Sequence, residues 1–93
     1  MKPADSQTAV VRLRYFARLR EALDCSEEEL VVPAGVRTVS DLMAFLRTRG
    51  GAWAAELAAG RPVLVAVNED MADADRPIGH GDTVAFMPPV TGG

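Results

Sequence analysis

Thr38, Val39, Ser40 and Asp41 form a capping box: a hydroxyl at the first position accepts from the backbone three residues on, and the acid there returns a bond. A helix starts here. Beyond it Val39, Leu42, Met43 and Leu46 recur at i, i+3, i+4 and i+7, which gives one apolar stripe, and Gly50 and Gly51 supply a left-handed cap at its end. A single amphipathic helix cannot bury its stripe on itself, so another layer must cover it. In 93 residues, of which 48% are hydrophobic, the core is thin: a chain this size buries only about 60 to 65% of its unfolded surface. One small domain fits, without room for a large enclosed active-site pocket.

The strands of that sheet are read from period-2 patterns. From Val10 to Phe16, Val11, Leu13 and Tyr15 alternate with Arg12 and Arg14, which places the arginines together on a solvated face. A helix of about two turns follows over Ala17–Leu23, all good helix formers, and stops near Asp24. A second strand is expected at Glu29–Val32, and Pro33, Ala34 and Gly35 turn the chain into the main helix. Trp53–Leu57 form a further short helical piece, closed by Gly60 and Pro62. The run Val63–Val67 is apolar without alternation, as in a central strand. Asn68 opens a turn, Glu69, Asp70, Asp73 and Asp75 make an acidic loop, and Pro77–Asp82 turn tightly into a last strand, Thr83–Met87. The expected class is α+β: a β-grasp, ubiquitin-like mixed sheet of four to five strands over one main helix plus short helices. Residues 1–9 are a flexible extension, 10–87 the domain and 88–93 an extended tail.

Charge and composition exclude several functions. Net charge is -3, and the basic residues Arg12, Arg14, Arg18 and Arg20 lie in an otherwise acidic chain, which argues against binding of a nucleic-acid backbone. No apolar run approaches the roughly 20 residues that span a bilayer, and residues 1–6 lack the apolar stretch of a secretion signal; a cytoplasmic protein is expected. Cys25 is the only cysteine and lies just past a helix C-terminus, where the macrodipole disfavours a thiolate. His80, the only histidine, sits between two glycines as a turn residue, without a Ser or Cys near it in sequence. Asp70, Asp73 and Asp75 lack the glycine and terminal glutamate of a calcium loop, and neither glycine pair is followed by Lys-Ser or Lys-Thr as a phosphate loop requires. No metal and no bound cofactor are expected.

The end of the sequence carries the strongest functional signal. Pro88 and Pro89 forbid continuation of the last strand and hold Pro88–Gly93 extended, a reach of about 19 Å at roughly 3 Å per residue. Gly92 and Gly93 have no Cβ, so a narrow tunnel in another protein can admit them. A carboxylate there is ionised and has no leaving group, so chemistry on it first requires activation, for example as an acyl-adenylate. The sequence holds no nucleotide motif, which assigns activation to a partner.

Gly81-Asp82-Thr83-Val84-Ala85-Phe86-Met87-Pro88-Pro89-Val90-Thr91-Gly92-Gly93 resembles the ending shared by the β-grasp sulfur carriers, most closely the molybdopterin synthase small subunits. Phe16-Ala17-Arg18-Leu19-Arg20-Glu21, Thr38-Val39-Ser40-Asp41-Leu42 and Val65-Ala66-Val67-Asn68 also fit that family, so the resemblance covers residues 10–93. Two departures are residues 1–9, which precede the family's usual start, and Met87, which stands where an aromatic residue is frequent.

The resemblance implies a non-catalytic, sulfur-donating subunit of a sulfurtransferase in molybdenum cofactor biosynthesis. A partner adenylates the Gly93 carboxylate with ATP, a sulfurtransferase converts it to a thiocarboxylate, and the tail Pro88, Pro89, Val90, Thr91 and Gly92 inserts into the large synthase subunit in a 2+2 complex. There the sulfur passes to a pterin precursor. Phe16, Phe86 and Met87, near the root of the tail, are the expected partner contacts, either phenylalanine being equally suited to the core. Three alternatives stay open: a carrier for thiamine or cysteine synthesis, a ubiquitin-like modifier joined through Gly93, and a module whose Pro88-Pro89 segment binds an aromatic groove.

Overall fold

The computed structural model describes residues 9–89. The order is β1 (Ala9–Tyr15), α1 (Ala17–Leu23), β2 (Glu27–Val32), α2 (Val39–Arg47), α3 (Gly51–Glu56), β3 (Leu64–Val67), β4 (Asp70–Ala72) and β5 (Thr83–Met87). The five strands form one sheet in the order β2-β1-β5-β3-β4. Only the central pair, β1 with β5, is parallel; β1–β2, β3–β5 and β3–β4 are antiparallel. This is the mixed β-grasp sheet expected from the sequence, with the last strand at its centre.

Alternation decides which face is covered. Val11, Leu13 and Tyr15 of β1, Val65 and Val67 of β3, and Val84 and Phe86 of β5 are buried in one cluster with Leu19 and Leu23 of α1, Val39, Leu42 and Leu46 of α2, and Leu57. The opposite face carries Arg12, Arg14, Ala66, Thr83, Ala85 and Met87, and among the described residues no helix lies over it. The capping box is formed as read: Thr38 Oγ1 accepts from the Asp41 backbone at 3.2 Å, and Asp41 Oδ2 accepts from the backbone of Arg37 and Thr38. Those bonds, the Arg37 one first, hold the Asp41 carboxyl below its ordinary range.

Several boundaries differ from the sequence reading. β1 starts at Ala9, which pairs with Val32, and ends at Tyr15, leaving Phe16 as the extended residue before α1. β2 starts at Glu27, because Glu27 and Glu28 pair with Arg14 and Leu13. β3 is Leu64–Val67, one residue shorter than expected. α2 ends at Arg47 with Thr48 as its cap, and three i to i−3 bonds carry the chain through Thr48, Arg49 and Gly50. Gly50 and Gly51 both have positive φ, but they do not supply the expected left-handed cap of α2: Gly50 is the N-cap of α3 and Gly51 its first residue.

The acidic loop is the main correction. Asn68 and Glu69 both have positive φ, 51° and 74°, the two-residue turn whose twist suits a hairpin, and Asp70–Ala72 return along β3 as an edge strand. Three residues beginning with Asp have little strand propensity of their own; pairing to β3 makes the strand.

Candidate functional site

The root of the tail is built by the middle of the sheet. β5 lies between β1 and β3, so at Met87 the chain leaves from the sheet's centre, and Pro88 and Pro89 follow outside any strand. Phe16 donates its backbone N–H to the Phe86 carbonyl at 3.1 Å, which extends the β1–β5 pairing one residue and fixes Phe16 beside the exit. On the other side Leu64 stands opposite Met87. Phe16, Ala17, Met87, Pro88 and Pro89 line an open apolar hollow of about 480 Å³. Ala17 holds a left-handed φ of 54°, unusual for a residue with a Cβ, and this sharp turn starts α1 directly after Phe16.

A second hollow, about 590 Å³, continues from Phe16 and Met87 along the uncovered sheet face over Ala66, Ala85 and Thr83. The two alanines make a shallow trough because their side chains end at Cβ. One bank is charged. Arg12 pairs with Glu29 at 3.2 Å and with Glu27 at 3.8 Å, and Arg14 pairs with Glu27 at 3.7 Å. The Arg14 guanidinium also lies 5.1 Å from the centre of the Phe16 ring. Arg18 is paired with Glu56 at 2.6 Å. The basic cluster of the sequence is therefore largely neutralised by its own glutamates, a solvated face rather than a phosphate track.

Of the three expected contact residues, Phe16 and Met87 reach the surface and Phe86 does not. Phe86 is fully buried, stacked on Tyr15 with ring centroids 5.6 Å apart and planes 14° apart. This corrects the expectation: alternation along β5 turns Phe86 to the core and Met87 to the open face. Pro88 and Pro89 are placed at the hollow, while Val90, Thr91, Gly92 and Gly93 lie outside the described residues. Leu64 and Ala85 join Phe16 and Met87 on this surface without having been singled out; the alternation of Thr83, Ala85 and Met87 was the available signal for Ala85.

His80 sits at the far end of β5, exposed, where its Nδ1 accepts from the Val10 backbone N–H at 3.1 Å and so continues the β1 ladder past the start of β5. Cys25 is half-buried; burial first, and the Glu28 carboxylate next, push its thiol up, so it is not an activated nucleophile. Behind the tail root lies a polar network the sequence did not reveal. The Tyr15 hydroxyl donates to Glu28 at 2.8 Å, and Arg49 binds both Glu28 oxygens at 2.8 and 3.1 Å while stacking 4.4 Å from the centre of the Trp53 ring. Burial and the Glu28 carboxylate push the Tyr15 phenol up, so it stays a donor. Burial raises the Glu28 carboxyl too, but the Arg49 and Tyr15 hydrogen bonds outweigh it and hold the group below its ordinary range.

Comparison with known proteins adds three findings. The model of the ThiS family matches residues 13–93. The molybdopterin synthase sulfur carrier subunit of Escherichia coli is 37% identical over 84 residues, 90% of this chain and all of that protein. A putative molybdopterin converting factor subunit 1 from Pyrococcus furiosus superposes with a TM-score of 0.71 at 31% identity, over 88% of this chain and 99% of its own.

Proposed function

This chain belongs to the ThiS family, and we propose that it is the sulfur carrier of molybdopterin synthase, acting in the cytoplasm in molybdenum cofactor biosynthesis. The observation that carries the reading is the exit of the chain from the central strand at Met87, beside an apolar hollow, toward the Gly92-Gly93 end. A tail released from the sheet's centre can enter a partner while the sheet face beside it docks.

In the proposed cycle an ATP-dependent adenylating enzyme joins AMP to the Gly93 carboxylate, which supplies the leaving group a bare carboxylate lacks. A sulfurtransferase then delivers sulfur, AMP departs, and the end becomes a thiocarboxylate, a soft nucleophile. Pro88, Pro89, Val90, Thr91 and Gly92 thread it into the large subunit of a 2+2 synthase, where it passes to a pterin precursor and the carrier returns as a carboxylate. The acid, base and anion-binding groups of that reaction belong to the larger subunit: His80 is at the wrong end of β5, and the Cys25 thiol is pushed up by burial. Phe16 and Met87 contribute apolar contacts, and the flexible Met87 adapts readily to an apolar pocket of the partner. The carrier binds no cofactor; ATP is consumed by the activating enzyme.

Intact-mass spectrometry after incubation with the adenylating enzyme, ATP and a sulfur donor tests the cycle. The expected product has one oxygen of the terminal carboxylate replaced by sulfur and gives up that sulfur when the large subunit and a pterin precursor are added. Transfer to a thiazole synthase instead, or conjugation to protein lysines without thiocarboxylate, would overturn the assignment.

A further inference from the structure

The chain has ten lysine and arginine residues, and nine of them are arginine; Lys2 is the only lysine, so residues 3–93 carry no side-chain amine. Geometry explains part of this. Arg49 binds both oxygens of Glu28 while lying over Trp53, and Arg47 donates to the Leu57 carbonyl at 2.8 Å. An ammonium cannot make the bidentate, stacked contact of Arg49. Other positions need no such fork. Arg12 pairs with Glu27 and Glu29 through one nitrogen each and Arg14 with Glu27 through one nitrogen, at 3.2 to 3.8 Å and without a bidentate fork, and the side chains of the exposed Arg20 and Arg37 donate no hydrogen bond among the described residues.

What separates the two cations at those positions is their reactivity. An ammonium with a pKa near 10.4 is free amine in roughly one molecule in 2,500 at pH 7, whereas guanidinium stays protonated and does not attack acyl groups. A lysine on the same domain meets the tethered C-terminal acyl group at an effective concentration on the order of millimolar. Its amine would attack the Gly93 carbonyl of an acyl-adenylate, the C–N bond forming as the acyl–oxygen bond to AMP breaks, AMP leaving and a proton passing to water. The product is an amide, a dead end for sulfur transfer.

We propose that the lysine-free domain protects the activated C-terminus from capture by the carrier's own side chains, within one chain and between copies. The inference rests on the proposed activation of Gly93 and concerns what that activation must avoid. It restricts any side-chain amide made by an activated carrier on another copy to Lys2.

The test restores an amine without changing charge, in Arg37→Lys and Arg61→Lys, both at exposed positions, with Arg61 three residues before Leu64, the partner of Met87 at the tail root. Each is incubated with the cognate adenylating enzyme and ATP, without a sulfur donor, and followed by intact mass and peptide mapping. A parallel arm contains hydroxylamine, which traps acyl-adenylate as a hydroxamate. The expected result is a chain lighter by one water, or a covalent dimer, with the new amide mapped to position 37 or 61 and a matching loss of thiocarboxylate once sulfur is supplied. Hydroxamate in both variants without any such amide overturns this inference and leaves the carrier function standing. No hydroxamate with the parent chain overturns the carrier function and this inference together.

Discussion

Tyr15 and Phe86 stack with nearly parallel rings, 5.6 Å between ring centroids and 14° between planes, and they are register partners in the parallel β1–β5 pair. Each is followed by a residue on the opposite face, Phe16 and Met87, so one aromatic pair in the core fixes one apolar pair beside the tail. Trp53 meets Tyr15 in an edge-on arrangement, ring centroids 5.3 Å apart. The core thus determines where the tail begins.

Phe16 and Phe86, adjacent to one exit, should respond oppositely to truncation. Phe86→Ala empties a fully buried site and is expected to cost about 3 to 5 kcal/mol in urea unfolding. Phe16→Ala removes a partly exposed ring and should cost under about 1 kcal/mol, while weakening binding to the large synthase subunit by roughly tenfold, as loss of an apolar anchor does. Calorimetric titration and urea melts on both variants check this; equal stability losses would contradict the assignment of the two faces.

Acid should weaken the fold through Glu28. Its carboxyl is held below the ordinary value of 4.5 in the folded chain, chiefly by Arg49 against the opposing effect of burial. A depressed folded pKa contributes stability that is fully present above the unfolded value and is lost as pH falls through the folded one. Glu28→Gln should therefore be less stable than the parent by about 1 kcal/mol at pH 7, and the gap should narrow as pH falls below the ordinary carboxylate value and through the lowered folded one. Urea midpoints between pH 7 and 3 measure it, and a gap that stays constant would refute the linkage.

Much of this was legible because local and global signals agreed. The capping box at Thr38 and Asp41, the stripe Val39, Leu42 and Leu46, and the alternation of Val11, Leu13 and Tyr15 each follow from backbone periodicity, and each was found in place. β4 was hidden because pairing with β3 overrides the propensity of Asp70. The Tyr15, Glu28 and Arg49 network was hidden because its members are 13 to 34 residues apart and meet only after the sheet forms. Phe86 and Met87 differ in role by one step of a period of two, and that step decides for the core at Phe86, which the sequence reading left open between core and partner contact.

Removing the Thr38 hydroxyl should expose how much α2 depends on its cap. In Thr38→Ala the Asp41 backbone N–H loses its acceptor, at an expected cost of about 1 kcal/mol. Thr38→Ser keeps the oxygen and should recover most of it. Thermal melts of the pair distinguish capping from packing, since packing of the lost methyl would leave Ser as damaged as Ala.

Cys25 should react slowly. Burial and the neighbouring Glu28 carboxylate push its thiol up, so less thiolate is present near neutral pH than in an unfolded chain. Iodoacetamide at pH 7.5 is expected to alkylate the folded protein several-fold more slowly than the urea-unfolded one. A folded rate equal to or above the unfolded rate would mean the thiol is activated, and would reopen the question of a nucleophile on this domain.

One added residue after Gly93 should separate delivery from folding. The chain leaves the sheet at Met87, and among the described residues the buried cluster is drawn from Val11 to Phe86, so an added alanine is expected to leave that cluster intact. The urea midpoint should match the parent. The new carboxylate, however, sits on a side chain-bearing residue and about 3.5 Å farther out, so it enters an active site shaped for two glycines in the wrong register. Sulfur transfer should fall by at least about a hundredfold, the scale of a 1 Å misplacement. Thiocarboxylate formation and pterin sulfuration, assayed separately, show which partner rejects the longer tail, and retention of both at parental rates would place the reacting carboxylate elsewhere than at position 93.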